Sequence, residues 1–360
     1  MYGTCLKNGG NKRLSNYDSI YYWLRVVLRY KLAFILIAYG SIKVFPLQFP
    51  FPSISNLQTN YGDFLPWKIW YHTLGVTPNY VAFLGAVEIF AALLLFSRKT
   101  VVFGAGLILG VHTNVIFSSF SYQLGNQVLA TYVFIVALFI FLHDVPRIYS
   151  LLYLEKPTKA ETFIPKVSPQ LQLVSKALFV VAGLVIYLSA LFNYKHDPYL
   201  TPKAEGLQDA AGLYNVKEFV INKDTIPYSR TDTARWQNVV FESWATISIK
   251  TAKPVKIDST LYLTKKLPDI DRVYESAGVD GRLYYSYSID SLKGSVLQLQ
   301  LKNKNARYAG ESYTLTVNRP DDKTIILKGV NQKQDSISAV LERIDKKYML
   351  IEGRRKPIQL

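Results

Sequence analysis

The sequence predicts an α-helical transmembrane bundle of four helices plus a fifth span, followed by an all-β domain folded as an antiparallel barrel. Three observations predict it. Apolar runs of membrane-crossing length crowd the first 195 residues, charge density rises abruptly after His196, and from Tyr214 the hydrophobic pattern switches to period two.

Of the 360 residues 49% are apolar, an ordinary fraction that is spread unevenly. Up to Lys195 the acidic residues are Asp18, Asp63, Glu88, Asp144, Glu155 and Glu161, set against sixteen Lys and Arg. Beyond that point 26 basic and 20 acidic residues are densely mixed. The net charge of +16 does not point to nucleic acid, because the basic excess sits between hydrophobic spans rather than along a stripe on a soluble fold. A single cysteine, Cys5, excludes an intramolecular disulfide and any cysteine-based metal or dithiol site. Met1 to Tyr17 lacks the apolar core of a secretory signal, so the first apolar run is expected to stay as an anchor.

Five segments approach the roughly 20 apolar residues that a helix needs to cross a bilayer. They are Tyr22–Phe45, Val81–Ser97, Val101–Phe120, Val128–Leu142 and Leu171–Phe192. Residues 1–21 are read as a cytoplasmic tail, 22–150 as a four-span membrane domain with an outer cap at 46–80, and 151–170 as a cytoplasmic linker. A fifth span follows at 171–194, a second linker at 195–212, and the barrel-like domain at 213–360. The cap is rich in Pro, Trp, Tyr and Phe, which suits a partly re-entrant or surface-lying segment; an extended linker is the alternative.

With the N-terminus inside, the cytoplasmic segments carry thirteen Lys and Arg and the outer ones only Lys43, Lys68 and Lys195. By the positive-inside rule five spans then put the C-terminal domain outside, in the periplasm or at the cell exterior, and the expected location is a bacterial cytoplasmic (inner) membrane. That domain shows short alternating strands at Val216–Ile221, Trp236–Phe241, Ala245–Lys250, Ser259–Thr264, Leu283–Tyr287, Val296–Leu301, Ser312–Val317, Lys323–Leu327, Ser336–Leu341 and Tyr348–Ile351. Consecutive strands with short connections favour a single up-and-down barrel of about eight strands, self-contained from about Tyr214.

Glu88 is the most informative residue of the membrane half, because an ionisable group in a span is expensive unless paired. Helix direction and rise place Lys43, Asn114, Thr131 and Tyr132 at comparable depth, so these five form a candidate polar cluster near the outer leaflet. Such a cluster either hydrogen-bonds a quinone head group or passes protons, or is a Lys–Glu pair that locks the bundle. Gly106, Gly110, Asn114 and Ser118 recur every fourth residue and predict a closely packed face. His112 then points away and reads as a buried histidine without a haem partner. In the cap, Asn60, Tyr61 and Asp63 surround Gly62: either a turn or a pocket mouth in which Asp63 reaches Lys43 or a ligand. No His-Glu-x-x-His or comparable spacing is present, so no metal is expected.

Several stretches resemble the DoxX family of small four-helix membrane proteins, related to the small subunit of thiosulfate:quinone oxidoreductase. They are Tyr39-Gly40-Ser41-Ile42-Lys43-Val44-Phe45-Pro46, Asn60-Tyr61-Gly62-Asp63-Phe64, Gly85-Ala86-Val87-Glu88 with Leu93-Leu94-Leu95-Phe96, and Gly110 to Asn114 with Phe120-Ser121-Tyr122. The resemblance covers residues 22–150 and implies a quinone-linked redox or accessory subunit of a membrane complex. The fifth span and the β domain depart from that pattern. The opposing reading is a non-enzymatic envelope protein that anchors a periplasmic β domain for a protein or lipid partner. On either reading the partners are the lipid bilayer and a protein in the membrane or periplasm.

Overall fold

The computed structural model describes residues 7–158, 168–198, 200–254, 268–276, 281–289, 296–302 and 311–353. Two compact units are present: Met1–Pro46 with Asn79–Phe192, and Leu47–Pro78 with Asn193–Leu360. In chain order the first helices are α1 (Lys7–Val44), α2 (Ile54–Leu57), α3 (Pro66–Gly75) and α4 (Pro78–Leu95). They are followed by α5 (Val101–Ser121), α6 (Gln127–Leu142), α7 (Val145–Leu152) and α8 (Pro169–His196). The strands are β1 (Gly212–Ile221), β2 (Asp224–Thr225), β3 (Asn238–Phe241), β4 (Thr246–Lys250), β5 (Arg282–Ile289), β6 (Val296–Leu301), β7 (Ser312–Asn318), β8 (Thr324–Asn331) and β9 (Ser336–Ile344), with α9 (Met349–Glu352) after them.

All five apolar runs of the sequence fall on helices. Proline opens α3, α4 and α8, where its missing N–H would have had no intrahelical partner and its fixed φ suits the first turn. Among the described residues three helices, α4, α5 and α8, are long and apolar enough to cross a membrane; α6 and α7, bent by 56° at the break between them, would together make a fourth. α1 carries Arg29, Lys31 and Lys43 on its apolar part, and α6 alone has 16 residues. Five spans therefore stay an expectation of the sequence.

The helical core is made by Leu32, Ala33, Leu36 and Ile37 of α1, Ala91, Ala92 and Leu95 of α4, Val101, Ala105 and Ile108 of α5, and Val133, Val136, Ala137 and Ile140 of α6. α8 joins through Phe179, whose ring stacks on Tyr30 at 3.8 Å. Large apolar side chains on the opposite faces, such as Phe83, Phe103, Phe117 and Leu178, are exposed. α1 and α4 touch backbone to backbone: a Cβ on Gly85 would lie 2.5 Å from the Gly40 carbonyl oxygen, so only glycine permits this approach.

In the second unit β1 and β3 to β9 follow one another around an antiparallel sheet, and pairing of β1 with β9 closes it into an eight-stranded barrel. The two-residue β2 forms a small flap on β1. Alternate residues point inward: Val239 and Phe241, Ile247 and Ile249, Leu283, Tyr285 and Tyr287, Leu297 and Leu299. In β1 the register shifts between Val216 and Glu218, a bulge that turns Phe219 inward after Tyr214 and Val216. Aromatic rings fill the interior, with Trp236 and Tyr285 each edge-on to Tyr313 at 5.7 and 5.4 Å.

Two strand expectations need comment. Tyr348–Ile351 is not a strand: Met349–Glu352 forms the short helix α9, because a four-residue apolar run has too little length to display either period. Ser259–Thr264 lies outside the described residues.

The segment Leu47–Pro78 belongs to the compact unit of the barrel, where the sequence reading grouped the cap 46–80 with the four-span domain. The reason is on the outer face of the barrel. Val240, Glu242, Thr246, Ser248, Arg282, Tyr284 and Ser286, which point away from the interior along β3 to β5, are all buried. α2 docks there, with Ser55 Oγ 2.7 Å from Ser248 Oγ. α2 itself begins in a capping box between Ser53 and Asn56.

Candidate functional site

Three residues beyond the Gly40–Gly85 crossing on each helix lie Lys43 and Glu88, and their side chains form a hydrogen-bonded ion pair. Glu88 is only 4% exposed. One carboxylate oxygen takes the Lys43 ammonium, and the other, Oε2, is buried without a hydrogen-bond partner. Lys43 has Glu88 as its hydrogen-bond acceptor and is 13% exposed.

His112 of α5 completes the group. It is 7% exposed and close enough to Lys43 to feel its charge, and its Nδ1 makes no well-formed hydrogen bond; the Ile108 carbonyl, one turn back, is the backbone acceptor in reach of the ring. Tyr39, one turn before Lys43 on α1, is within electrostatic reach of Glu88. Leaving a buried polar atom unmet costs about 1–3 kcal/mol, and Glu88 Oε2 and His112 Nδ1 are two such atoms, while Lys43 gives one of its three N–H donors to Glu88.

No hydrogen bond or ion pair joins the remaining members of the expected cluster to Lys43 or Glu88 among the described residues. Asn114 is exposed on α5, and Gly110 has open space beside it, so the Gly106–Gly110–Asn114–Ser118 stripe is not a packed face over its middle. α5 instead buries Val101, Ala105, Ile108, His112 and Ser119, spaced by three, four and seven. Thr131 and Tyr132 are half-buried on α6, and the Tyr132 ring lies 5.0 Å from the ammonium of Lys31, not Lys43. His112 is buried, as expected, but the glycine stripe turns it away from the cluster, whereas the apolar 101/105/108 spacing carries the helical phase that the structure shows.

In the second unit Asn60, Tyr61 and Asp63 form a single 3-10 turn, Tyr61–Asp63, in which Asn60 Nδ2 donates to Asp63 Oδ2 at 3.0 Å. Tyr61 is exposed and Gly62 is open to solvent. A much larger polar group is buried nearby in the chain's fold. Lys302 donates to Thr246 Oγ1, the Arg272 carbonyl and Glu275 Oε1 at 2.6, 2.8 and 2.9 Å, so all three of its donors are used. Trp244 Nε1 adds a bond to Glu275 Oε1 at 2.7 Å. Burial alone would raise the Glu275 carboxyl, but Lys302 and Trp244 hold it below its ordinary value.

Lys68 of α3 is fully buried, donates to the Tyr274 carbonyl, and sits 3.7 Å from the centroid of the Tyr274 ring. Burial lowers its ammonium to about 7 despite the nearby Glu275. Burial and the Lys68 charge push His72 down to about 3, so the imidazole is neutral and bonds Asn56 Oδ1 at 3.2 Å. In each of the Lys302–Glu275 and Lys43–Glu88 pairs one carboxylate oxygen, Oε2, stays unmet, but Lys302 uses all three of its donors whereas Lys43 gives one, to Glu88.

The outer face of β5 to β7 also carries an open cleft of about 430 Å³, lined by Ser286, Ser288, Gln298, Gln300, Ser312 and Ile270 among others. No group of three or more His, Cys, Asp or Glu residues suited to a metal ion occurs among the described residues. Comparison of the chain with protein-family models, with curated proteins and with solved structures returns no match.

Proposed function

We propose that the chain is a multi-pass protein of a bacterial cytoplasmic membrane whose helical bundle binds a quinone head group at Lys43, Glu88 and His112, as an accessory subunit to a separate catalytic partner. The observation that carries this reading is the buried ion pair whose Glu88 Oε2 is unmet, with the unmet His112 Nδ1 within reach of the Lys43 charge. A quinone carbonyl is an acceptor for the spare Lys43 donors, and a quinol hydroxyl is a donor for Glu88 Oε2. His112, with Nδ1 unmet, is a further hydrogen-bonding group at that place. The resemblance of residues 22–150 to the DoxX family supports the same reading, and the basic bias of the N-inside segments supports a periplasmic barrel. Purification of the full chain in mild detergent, followed by mass spectrometry of the extracted lipids, tests it: quinone in stoichiometric amount is expected, and its absence from folded protein counts against the reading.

A second reading rests on the Ser- and Gln-lined cleft of the barrel. In it the helices are an anchor and the β domain binds a protein or lipid partner without chemistry. A stable stoichiometric complex that survives Glu88 substitution would favour it.

A further inference from the structure

Helix α7 is turned 56° from α6 and has an unusual surface. At 100° per residue Val145, Ile148, Tyr149 and Leu152 share one face, while Arg147 and Ser150 lie on the other. That apolar face is not packed away. Tyr149 and Leu152 are 52% and 74% exposed, and beyond the helix end Tyr153 is 73% exposed with its ring stacked on Tyr149 at 4.9 Å. In water such a cluster would be a liability.

The neighbouring chain explains it. The lipid-ready surface of α6, with Ile135 and Leu142 exposed, runs directly into α7. Asp144, at the bend, pairs with Arg25 of α1 at 3.4 Å, and His143 Nδ1 lies 3.1 Å from the Tyr21 hydroxyl. This level of the bundle therefore also holds the exposed Tyr17, Tyr21, Trp23 and Leu24 of α1. Tyr and Trp in a belt with Arg beside them mark the boundary between headgroups and acyl chains. α6 alone, at 1.5 Å per residue, spans about 24 Å and ends near such a boundary rather than short of it once flanking residues are included.

We infer that α7 is an interfacial foot that lies in the plane of the membrane surface, with Val145, Ile148, Tyr149 and Leu152 in the acyl boundary and Arg147 and Lys156 on anionic lipid headgroups. It is not the second half of a bent span: its eight residues end at Leu152, and the exposed Glu155 and Lys156 just beyond place charge where a span would need hydrocarbon. The inference rests on the membrane reading of the bundle and goes beyond the head-group site.

The full chain with Cys5→Ser, reconstituted in nanodiscs containing one quarter anionic lipid, provides the test. A nitroxide is attached at Leu152→Cys, at Arg147→Cys, or at Val180→Cys on the exposed face of α8 as a control. Relative accessibility to oxygen and to a water-soluble nickel chelate reports depth. The Val180 and Leu152 labels are expected to favour oxygen several-fold, the Leu152 label at the shallower depth, and the Arg147 label to favour nickel several-fold. Nickel access at Val180 would overturn the membrane reading itself. With Val180 embedded, equal nickel access at Leu152 and Arg147, or equal burial of both, would overturn the foot. Native mass spectrometry of Arg147→Glu, Lys156→Glu protein should show several-fold less retained anionic lipid; unchanged retention would overturn the headgroup contact.

Discussion

The Glu242 carboxylate, just beyond β3, accepts the backbone N–H groups of Ser55 and Ile54 at 2.8 and 3.0 Å, and so holds the first turn of α2 against the barrel from nearly 190 residues away. Burial raises the Glu242 carboxyl above its ordinary value even though Ser55 and Ile54 pull it down. Asn56 Nδ2 donating to the Glu275 carbonyl at 2.5 Å and Tyr274 donating to the Pro50 carbonyl at 2.6 Å fix the same segment. The barrel domain is therefore discontinuous in sequence.

Glu242→Ala leaves two amide donors without their acceptor in a closed interface. A loss of about 1–3 kcal/mol is expected for the docked segment. Hydrogen exchange of the amides at residues 54–58 should accelerate by an order of magnitude or more, while those of β7 and β8 stay protected. Unchanged exchange at 54–58 would show that the carboxylate does not hold α2.

Expression of residues 193–360 alone would expose the polar outer face of β3 to β5, including Val240 and Tyr284, which are buried at present. That fragment should aggregate or melt well below a version in which residues 47–78 are fused to it through a flexible linker. Equal melting temperatures would mean that the barrel is self-contained from about Tyr214, as its strand pattern alone suggests.

Lys68 gives a pH dependence of definite sign. Its folded-state value of about 7 lies below the ordinary 10.5, so between these limits the docked form binds fewer protons than the undocked form. Stability of the docked segment should rise with pH from about 7 towards 10.5, by at most ~1.4 kcal/mol per pH unit, and be flat below 7. Lys68→Met should abolish the slope. A slope that persists in Lys68→Met protein would assign it to another group.

The close approach of α1 and α4 makes Gly85 intolerant of a side chain. Gly85→Ala places a methyl 2.5 Å from the Gly40 carbonyl oxygen, and overpacking of this kind costs about 1–3 kcal/mol. Thermal melting in detergent should drop by several degrees. A melting temperature equal to that of the unaltered protein would mean that the helices separate at this point without penalty.

What could be read from the sequence follows from which patterns have a period. The apolar runs and the alternating strands do, and both halves of the architecture were legible from them. Lys43 and Glu88 stand out as charges on apolar helices, so their pairing could be anticipated from depth alone. The side on which His112 lies could not, because Gly106, Gly110 and Asn114 offered a rival face with the same spacing. Nor could the docking of Leu47–Pro78: Thr246, Ser248 and Ser286 occupy positions that a period-two pattern assigns to solvent, and only the fold shows them buried. The bulge at Val216 and Glu218 broke the alternation of β1 without any glycine to announce it.

The most direct test is the quinone content of the full chain carrying Lys43→Met together with Glu88→Leu, purified in mild detergent beside the unaltered protein. Replacing both members of a buried pair by apolar residues commonly preserves folding, so the double variant should elute and melt like its parent. If Lys43 and Glu88 bind the head group, quinone falls several-fold in the double variant and also in His112→Leu protein. A folded double variant with undiminished quinone would contradict the account and reduce the pair to a lock between α1 and α4.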